Sequence, residues 1–408
     1  MDEKKLIHAR RHVSQTQFIA YGFFCIIITG TLLLMLPFAS RDGQSEPFLN
    51  CLFTATSASC VTGLVVADTW SQWSLFGQLV ILTMIQIGGL GFITVGVFIS
   101  IILRRKIGLK ERGLMMESVN TLQIGGVVRL AKKIIIGTCI FEGTGAVLLA
   151  IRFIPQFGCL RGLFYGIFQS ISAFCNAGFD LMGGQTPYSS FVAYYDDWLV
   201  NLVIMSLIII GGIGFIVWDD LSRNKLHFRK YMLQTKIVLV TTAILVFGGG
   251  LLCYLLARNH PLVGLNTSGK NLTSLFSSVT ARTAGFNTTD TAALTDGSKL
   301  LTIILMFIGG SPGSTAGGIK TTTLVVLLLC VHSNIKQTYG INIFGRRLEN
   351  DAVKRAGTIL TINLLLAVPA SLAIKAIQPL GFSDFLFETF SAIGHVGKTT
   401  GITRALHP

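Results

Sequence analysis

Residues 276–286 read FSSVTARTAGF. The stretch is too short to cross a membrane and too rich in small residues for a surface loop. Phe276 stands five residues before Ala281, Thr280 precedes that alanine, and Gly285 follows within one turn. The same frame recurs three more times. Phe53, Ser57, Ala58 and Gly63 sit in FTATSASCVTGL. Phe168, Ser172, Ala173 and Gly178 sit in FQSISAFCNAGF, and Phe387, Ser391, Ala392 and Gly397 in FETFSAIGHVGK. The four glycines lie about 110 residues apart, and self-similarity at a long period points to four quarters of one object.

Composition fixes the medium. The chain has 408 residues, of which 51% are hydrophobic and 13% charged, with mean hydropathy +0.65. A soluble domain carries about twice that charge, so several long uncharged runs mean an integral membrane protein. The eight cysteines form no C-x-x-C pair and lie mostly in apolar runs, as small apolar fillers do. They predict no disulfide framework and no metal site. The first apolar run lacks a small-residue cleavage site and reads as a retained helix rather than a signal peptide.

Taken in order, the chain gives a polar, basic segment at 1–17 and then four units. Repeat 1 covers 18–112, repeat 2 covers 113–236, repeat 3 covers 237–353 and repeat 4 covers 354–408. Each unit reads helix, short re-entrant element, helix. In the fourth only eleven, mostly polar residues follow Gly397, which predicts that its second helix is missing from this chain. The fold expected is an all-α integral membrane protein, with four helix–pore-loop–helix repeats around one pseudo-fourfold pathway. Trp198 and Trp218 bracket one run as interfacial anchors would.

Two-thirds of the 33 lysines and arginines fall in 1–17, 103–133, 219–236 and 331–355. The positive-inside rule puts these segments in the cytoplasm and the re-entrant elements outside. The net charge of +14 is thereby explained as topology, not as a nucleic-acid surface.

Non-helical backbone at membrane depth persists only when buried in protein or lining water. A short helix ending at a glycine turn meets that condition, and its C-terminal end favours a cation. Beyond it the turn can aim carbonyl oxygens at a common axis in place of an ion's water shell. The candidate filter is therefore Val61, Thr62 and Gly63; Asn176, Ala177 and Gly178; Thr283, Ala284 and Gly285; His395, Val396 and Gly397. The competing reading is four tight helix–helix contacts between small residues.

A second repeat follows each of the first three turns: IGGLGF (87–92), IGGIGF (210–215) and IGGSPGSTAGGIK (308–320). The first two read as close helix packing. The third, Gly309, Gly310, Ser311, Pro312, Gly313, Ser314, Thr315, Ala316, Gly317 and Gly318, cannot sustain a helix and is expected to unwind below the filter. Lys320 ends it, as either a functional intramembrane charge or a lysine reaching the inner headgroups. Asp68, Asp180 and Asp290 follow filter glycines closely and form a candidate outer vestibule that concentrates cations. The alternative is that they cap turns.

VTGL (61–64), NAGF (176–179), TAGF (283–286), IQIGGLGF (85–92) and above all IGGSPGSTAGGIKTTT (308–323) resemble the Trk/Ktr/HKT cation-transporter superfamily, and within it the bacterial KtrB-type potassium-translocating subunits. The resemblance covers nearly the whole chain. It implies potassium uptake at the cell membrane, with a cytoplasmic N-terminus, a gating loop at 309–320 and potassium preference from four filter glycines. It also implies homodimers controlled by a cytoplasmic KtrA-type ring, which carries the nucleotide. No cofactor is expected in this chain, no metal beyond transported K+, and no enzymatic activity. The fourth repeat departs from the family pattern, because His395 and Lys398 flank Gly397 where neutral residues are usual. A lysine beside a cation filter repels the ion unless its head swings into water, so a truncated, non-conducting or regulatory member is the alternative. An intramembrane enzyme would need convergent acids; Glu142 and Glu388 stand apart in sequence.

Overall fold

The computed structural model describes residues 14–91, 94–97, 100, 103, 108, 113–114, 126–184, 186–225, 227–257, 262–337, 341–348, 350–378 and 381–404. Most of the basic segments 1–17 and 103–133, with the cytoplasmic roles expected of them, lies outside the described residues.

Helix α1 (Gln15–Leu34) starts on a capping box. Ser14 Oγ accepts from Gln17 N, and Gln17 Oε1 accepts from Ser14 N. Then come α2 (Phe48–Ser59), the single turn α3 (Thr69–Gln72) and α4 (Leu75–Leu90). The order continues with α5 (Val127–Phe157), α6 (Cys159–Phe174), α7 (Trp198–Gly212) and α8 (Phe215–Asn224). A π-turn at Ile244–Gly248 joins α9 (Leu233–Ala243) to α10 (Gly249–Ala257). After them stand α11 (Thr267–Thr280), α12 (Asp296–Phe307), α13 (Thr321–Ile335), α14 (Asn350–Ile377) and α15 (Phe382–Ile393).

Length sorts these helices. Thr16–Leu34, Val128–Phe157, Leu233–Ala257 and Asp351–Ile377 are long and apolar enough to span. Helices α2, α6, α11 and α15 have 12, 16, 14 and 12 residues. At 1.5 Å per residue they reach about 18–24 Å, short of a 30 Å hydrocarbon core. Each follows one of the four long spans and ends in a glycine turn. The helix after each of the first three turns starts on a side-chain cap. Ser74 Oγ accepts from Gly77 N, Asp197 Oδ1 from Val200 N, and Thr295 Oγ1 from Ser298 N.

One sequence expectation about the spans needs correction. The run 198–218 is not one straight span: α7 and α8 are bent by 97°. The break falls at Gly214, whose φ of 97° is closed to most side chains. Trp218 therefore leaves the far interface and packs between Phe141, Phe174 and Phe215, with ring centroids 5.2, 5.6 and 5.1 Å away. Its Nε1 donates to Ile210 O at 2.9 Å. The double-glycine motifs at 88–91 and 211–214 pack closely, as the sequence predicts, since a Cβ on Gly88 would run into Ser59 O and one on Gly211 into Phe174 O. They also end helices, with α4 stopping at Leu90 and Gly91 at φ 78°. The basic loop 331–355 folds in part into a hairpin, pairing Asn342–Ile343 with Arg346–Arg347.

The main core surrounds the short helices. Phe168, Phe174, Phe179, Phe191, Phe276 and Phe286 are fully buried in it. Each buried ring of this kind contributes roughly 1.5–3 kcal/mol where it is held from water.

Candidate functional site

The four glycine turns share one backbone. Two residues before each glycine stands a non-glycine residue in left-handed conformation: Val61 (φ 55°), Asn176 (58°), Thr283 (68°) and His395 (54°). The glycines follow with φ of 84° (Gly63), 71° (Gly178), 84° (Gly285) and 81° (Gly397). Two β-branched residues in that region cost of order 1 kcal/mol each, so the surroundings must hold them there. In three turns a hydroxyl of the short helix donates to a carbonyl just past the glycine. Ser57 Oγ reaches Leu64 O at 2.7 Å, Ser172 Oγ reaches Phe179 O at 2.6 Å, and Thr280 Oγ1 reaches Phe286 O at 2.8 Å.

The glycines meet in cyclic order. A Cβ built on Gly63 would lie 2.5 Å from Ala177 O, and one on Gly178 would lie 2.8 Å from Ala284 O. One on Gly285 would lie 2.6 Å from Val396 O, and one on Gly397 would lie 2.5 Å from Thr62 O. Each glycine thus abuts the carbonyl preceding the next glycine, and the fourth returns to the first. No side chain fits at any of the four positions without moving backbone. Side chains link neighbouring turns: Asn176 Nδ2 donates to Thr283 Oγ1 at 3.4 Å, and Thr62 Oγ1 lies 3.1 Å from His395 Nδ1. Four converging turns of bare backbone can offer carbonyl oxygens to a cation that has left its water.

The fourth turn keeps the backbone and changes what lies behind it. Lys398 occupies the place of Leu64, Phe179 and Phe286. Its head does not swing into water: the residue is 4% exposed. The buried Ser391 Oγ has no hydrogen-bond partner. In its place Glu388 ties down the following loop. Its carboxylate accepts from Thr399 Oγ1 at 2.5 Å, Thr400 N at 2.9 Å and Thr403 Oγ1 at 2.6 Å. Glu142 is likewise satisfied, accepting from Gln86 Nε2 at 3.1 Å and facing Cys175 Sγ at 3.8 Å. Sequence reasoning notes both acids only as standing apart from each other. It does not find the partners that satisfy them, Gln86 at 56 residues from Glu142 and the three threonines 11–15 residues on from Glu388. A lone carboxylate in an uncharged run was the available signal.

Between Phe307 and Thr321 the chain leaves the helix, and the segment 309–320 lies under the turns. It is pinned rather than loose. Gly309 N donates to Ile319 O at 2.9 Å, Ser311 N to Gly212 O at 2.9 Å, and Phe215 N to Gly313 O at 2.7 Å. Thr315 Oγ1 donates to Phe174 O at 3.0 Å, at the end of α6. Toward the other side, a Cβ on Gly317 would lie 2.7 Å from His395 Cβ. The segment therefore reaches from the second turn to the fourth. Lys320 goes neither to the headgroups nor to an acid: Nζ donates to Ala316 O at 2.7 Å within its own segment. A cavity of about 270 Å³ lies between this segment and the first turn, lined by Cys60, Val61, Ala316 and His395.

On the opposite side of the turns is a cavity of about 910 Å³, lined by Tyr165, Tyr188, Asn287, Asp290 and Thr400 among others. Asp290 is exposed there, accepting only from Ala292 N at 2.9 Å. Asp180 is half-buried and accepts from Met182 N at 3.0 Å. Asp68 is corrected: it is buried, and backbone amides take both its oxygens. Ser71 N donates to Oδ2 at 2.8 Å and Tyr188 N to Oδ1 at 2.9 Å. It caps α3 and braces residue 188 instead of facing the mouth.

Known proteins resemble the chain over nearly its whole length. The chain is similar to the potassium/sodium uptake protein NtpJ of Enterococcus hirae, at 40% identity over 97% of this chain and 87% of that protein. It is similar to the Ktr system potassium uptake protein B of Bacillus subtilis, at 41% identity over 96% and 86%. The solved structure of the potassium transporter TrkH from Vibrio parahaemolyticus superposes with a TM-score of 0.75 at 20% identity. The match covers 98% of this chain and 80% of that one. A family model described as TrkH: Cation transport protein matches residues 3–408. Four backbone turns meeting between apolar spans, together with these matches, lead to one conclusion: the chain belongs to the TrkH/Ktr family of cation transport proteins, and is not an enzyme.

Proposed function

We propose that the chain is the pore-forming subunit of a Ktr/Trk-type potassium uptake system. In this reading four helix–pore-loop–helix repeats, bounded as the sequence divides them, surround one pathway across the cell membrane. Backbone carbonyls of residues 61–63, 176–178, 283–285 and 395–397 replace the water shell of K+. The observation that carries it is the closed cycle of contacts from Gly63 through Gly178, Gly285 and Gly397 back to Gly63. The potassium named in its relatives is consistent with it. Asp180 and Asp290 form what remains of the outer vestibule.

The segment 309–320 is the gate. Its position between the second and fourth turns supports that role, and its hydrogen bonds to α6, α7 and α8 hold the closed state. The N-terminus is cytoplasmic, the subunit dimerises, and the basic segments at 103–133 and 331–355 dock a nucleotide-binding ring. Lys398 and the unsatisfied Ser391 support a second reading, a non-conducting or regulatory member.

Potassium uptake in a transport-deficient cell decides between the two. The first reading expects growth on low potassium, and loss of potassium preference over sodium in Gly63→Ser. Absence of uptake by an inserted, folded chain favours the second. For the gate, deletion of Ser311–Ala316 is expected to raise flux in proteoliposomes several-fold. Unchanged flux with full response to the regulatory ring would place the gate elsewhere.

A further inference from the structure

Behind the fourth turn lies a small pocket of about 20 Å³, room for one water-sized occupant. It sits between α10, α11, α12 and Lys398. Its walls carry the hydroxyls of Thr273, Thr291, Ser298 and Thr302. Thr273 is 1% exposed, and its Oγ1 has no hydrogen-bond partner among the described residues. Ser298 Oγ accepts from Thr295 Oγ1 at 3.0 Å and keeps its own proton to give.

Lys398 lines this pocket while 4% exposed. Among the described residues no carboxylate lies within ion-pair distance of its ammonium. Glu388, ten residues earlier, has its oxygens committed to Thr399, Thr400 and Thr403. Asp290 and Asp296 are exposed. A buried ammonium without an acid needs either a proton loss or a counter-ion. The walls decide which. Two hydroxyls with protons to give, those of Thr273 and Ser298, beside a positive charge and without a carboxylate, suit a small anion and not a metal cation, while Thr302 Oγ1 already donates to Ser298 O at 2.8 Å. Ser298 lies in the first turn of α12, where the helix dipole adds to the same preference. Access exists too, because Thr291 and Thr289 line both this pocket and the large outer cavity.

We infer that the pocket behind the fourth turn binds one small monovalent anion of the chloride class, held by Lys398 and the hydroxyl of Thr273. The anion neutralises a lysine that otherwise stands, uncompensated, one residue from Gly397. Leu64, Phe179 and Phe286 fill the corresponding places in the other turns with apolar groups, so this site is confined to the fourth.

The test uses the full chain in lipid nanodiscs at constant potassium, with chloride, bromide or gluconate as the anion. Gluconate is too large for the pocket. The thermal unfolding midpoint is expected to rise with chloride and with bromide, as mass action requires of a ligand that binds only the folded state. Lys398→Leu, which puts the first turn's residue in the fourth, abolishes that dependence. Thr273→Val raises several-fold the chloride needed for half the shift. Crystals grown in bromide show one anomalous peak in the pocket. Equal midpoints of the parent in chloride and gluconate overturn the inference, since the pocket then holds only water. So does a chloride shift that persists in Lys398→Leu. Should that variant not fold, an unchanged chloride dependence in Thr273→Val overturns it equally.

Discussion

The second and fourth turns have the same backbone and different support. Asn176 and His395 hold φ of 58° and 54°, and Gly178 and Gly397 hold 71° and 81°. Behind Gly178 are Phe179, fully buried, and a hydroxyl bond from Ser172. Behind Gly397 are a buried lysine, a serine with no partner, and a carboxylate binding three threonines. The shape of a turn is thus set where the four turns touch, by glycine against neighbouring carbonyl. The packing behind it can be exchanged for a different polar solution, even one that leaves Ser391 Oγ without a partner among the described residues.

The strongest way to break this comparison is at the shared contact. Gly285→Val puts a branched side chain where Cβ alone already lies 2.6 Å from Val396 O, in a conformation valine resists. Potassium uptake is expected to fall to background while membrane insertion persists. Retained uptake would mean that close approach of the turns is dispensable.

The supports should differ next. Glu388→Ala strands Thr399, Thr400 and Thr403 and is expected to cost about 2–4 kcal/mol. The equivalent residue of the second repeat, Gln169, is buried with both side-chain polar atoms unpartnered. Gln169→Leu should therefore be neutral or stabilising, within about 1 kcal/mol. Unfolding midpoints of both variants in detergent check the pair. Equal losses would show that the Glu388 network contributes nothing of its own.

The smallest contrast is between two serines. Ser172→Ala removes a 2.6 Å bond to Phe179 O and should cost about 1 kcal/mol, whereas Ser391→Ala, with no bond to lose, should cost close to nothing. A reversed order in denaturation would mean that Ser391 has a partner when the chain is in lipid.

Much of this was legible in the sequence, for physical reasons that differ by feature. Long apolar spans are visible because lipid leaves the backbone few alternatives. The turn glycines are visible because each recurs in one frame, Phe before and hydroxyl beside. The bend at Gly214 was not, since IGGIGF reads equally as a packing face. Its meaning comes from Pro312 O, which lies 2.7 Å from where a Gly214 Cβ would stand. Asp68 looked like a vestibule acid because sequence gives its distance from Gly63, not the amide of Tyr188 that holds it inward. Lys398 is the sharpest case: its place in the sequence leaves open whether its head reaches water, and the hydroxyls that share its pocket belong to residues 273–302.

The 97° elbow between α7 and α8 has a mechanical side. Helix α8 has 10 residues, a rod about 15 Å long. Its inner end is fastened by Phe215 N to Gly313 O, in the middle of the broken segment. Farther along it, Asp219 holds Lys133 of α5 at 2.5 Å, tying the rod to that helix, and Arg223 of α8 itself at 2.6 Å. A lever clamped in this way cannot swing freely. Tilting its outer end by an ångström or two turns it about the elbow, and Gly313 must then follow or give up its bond to Phe215.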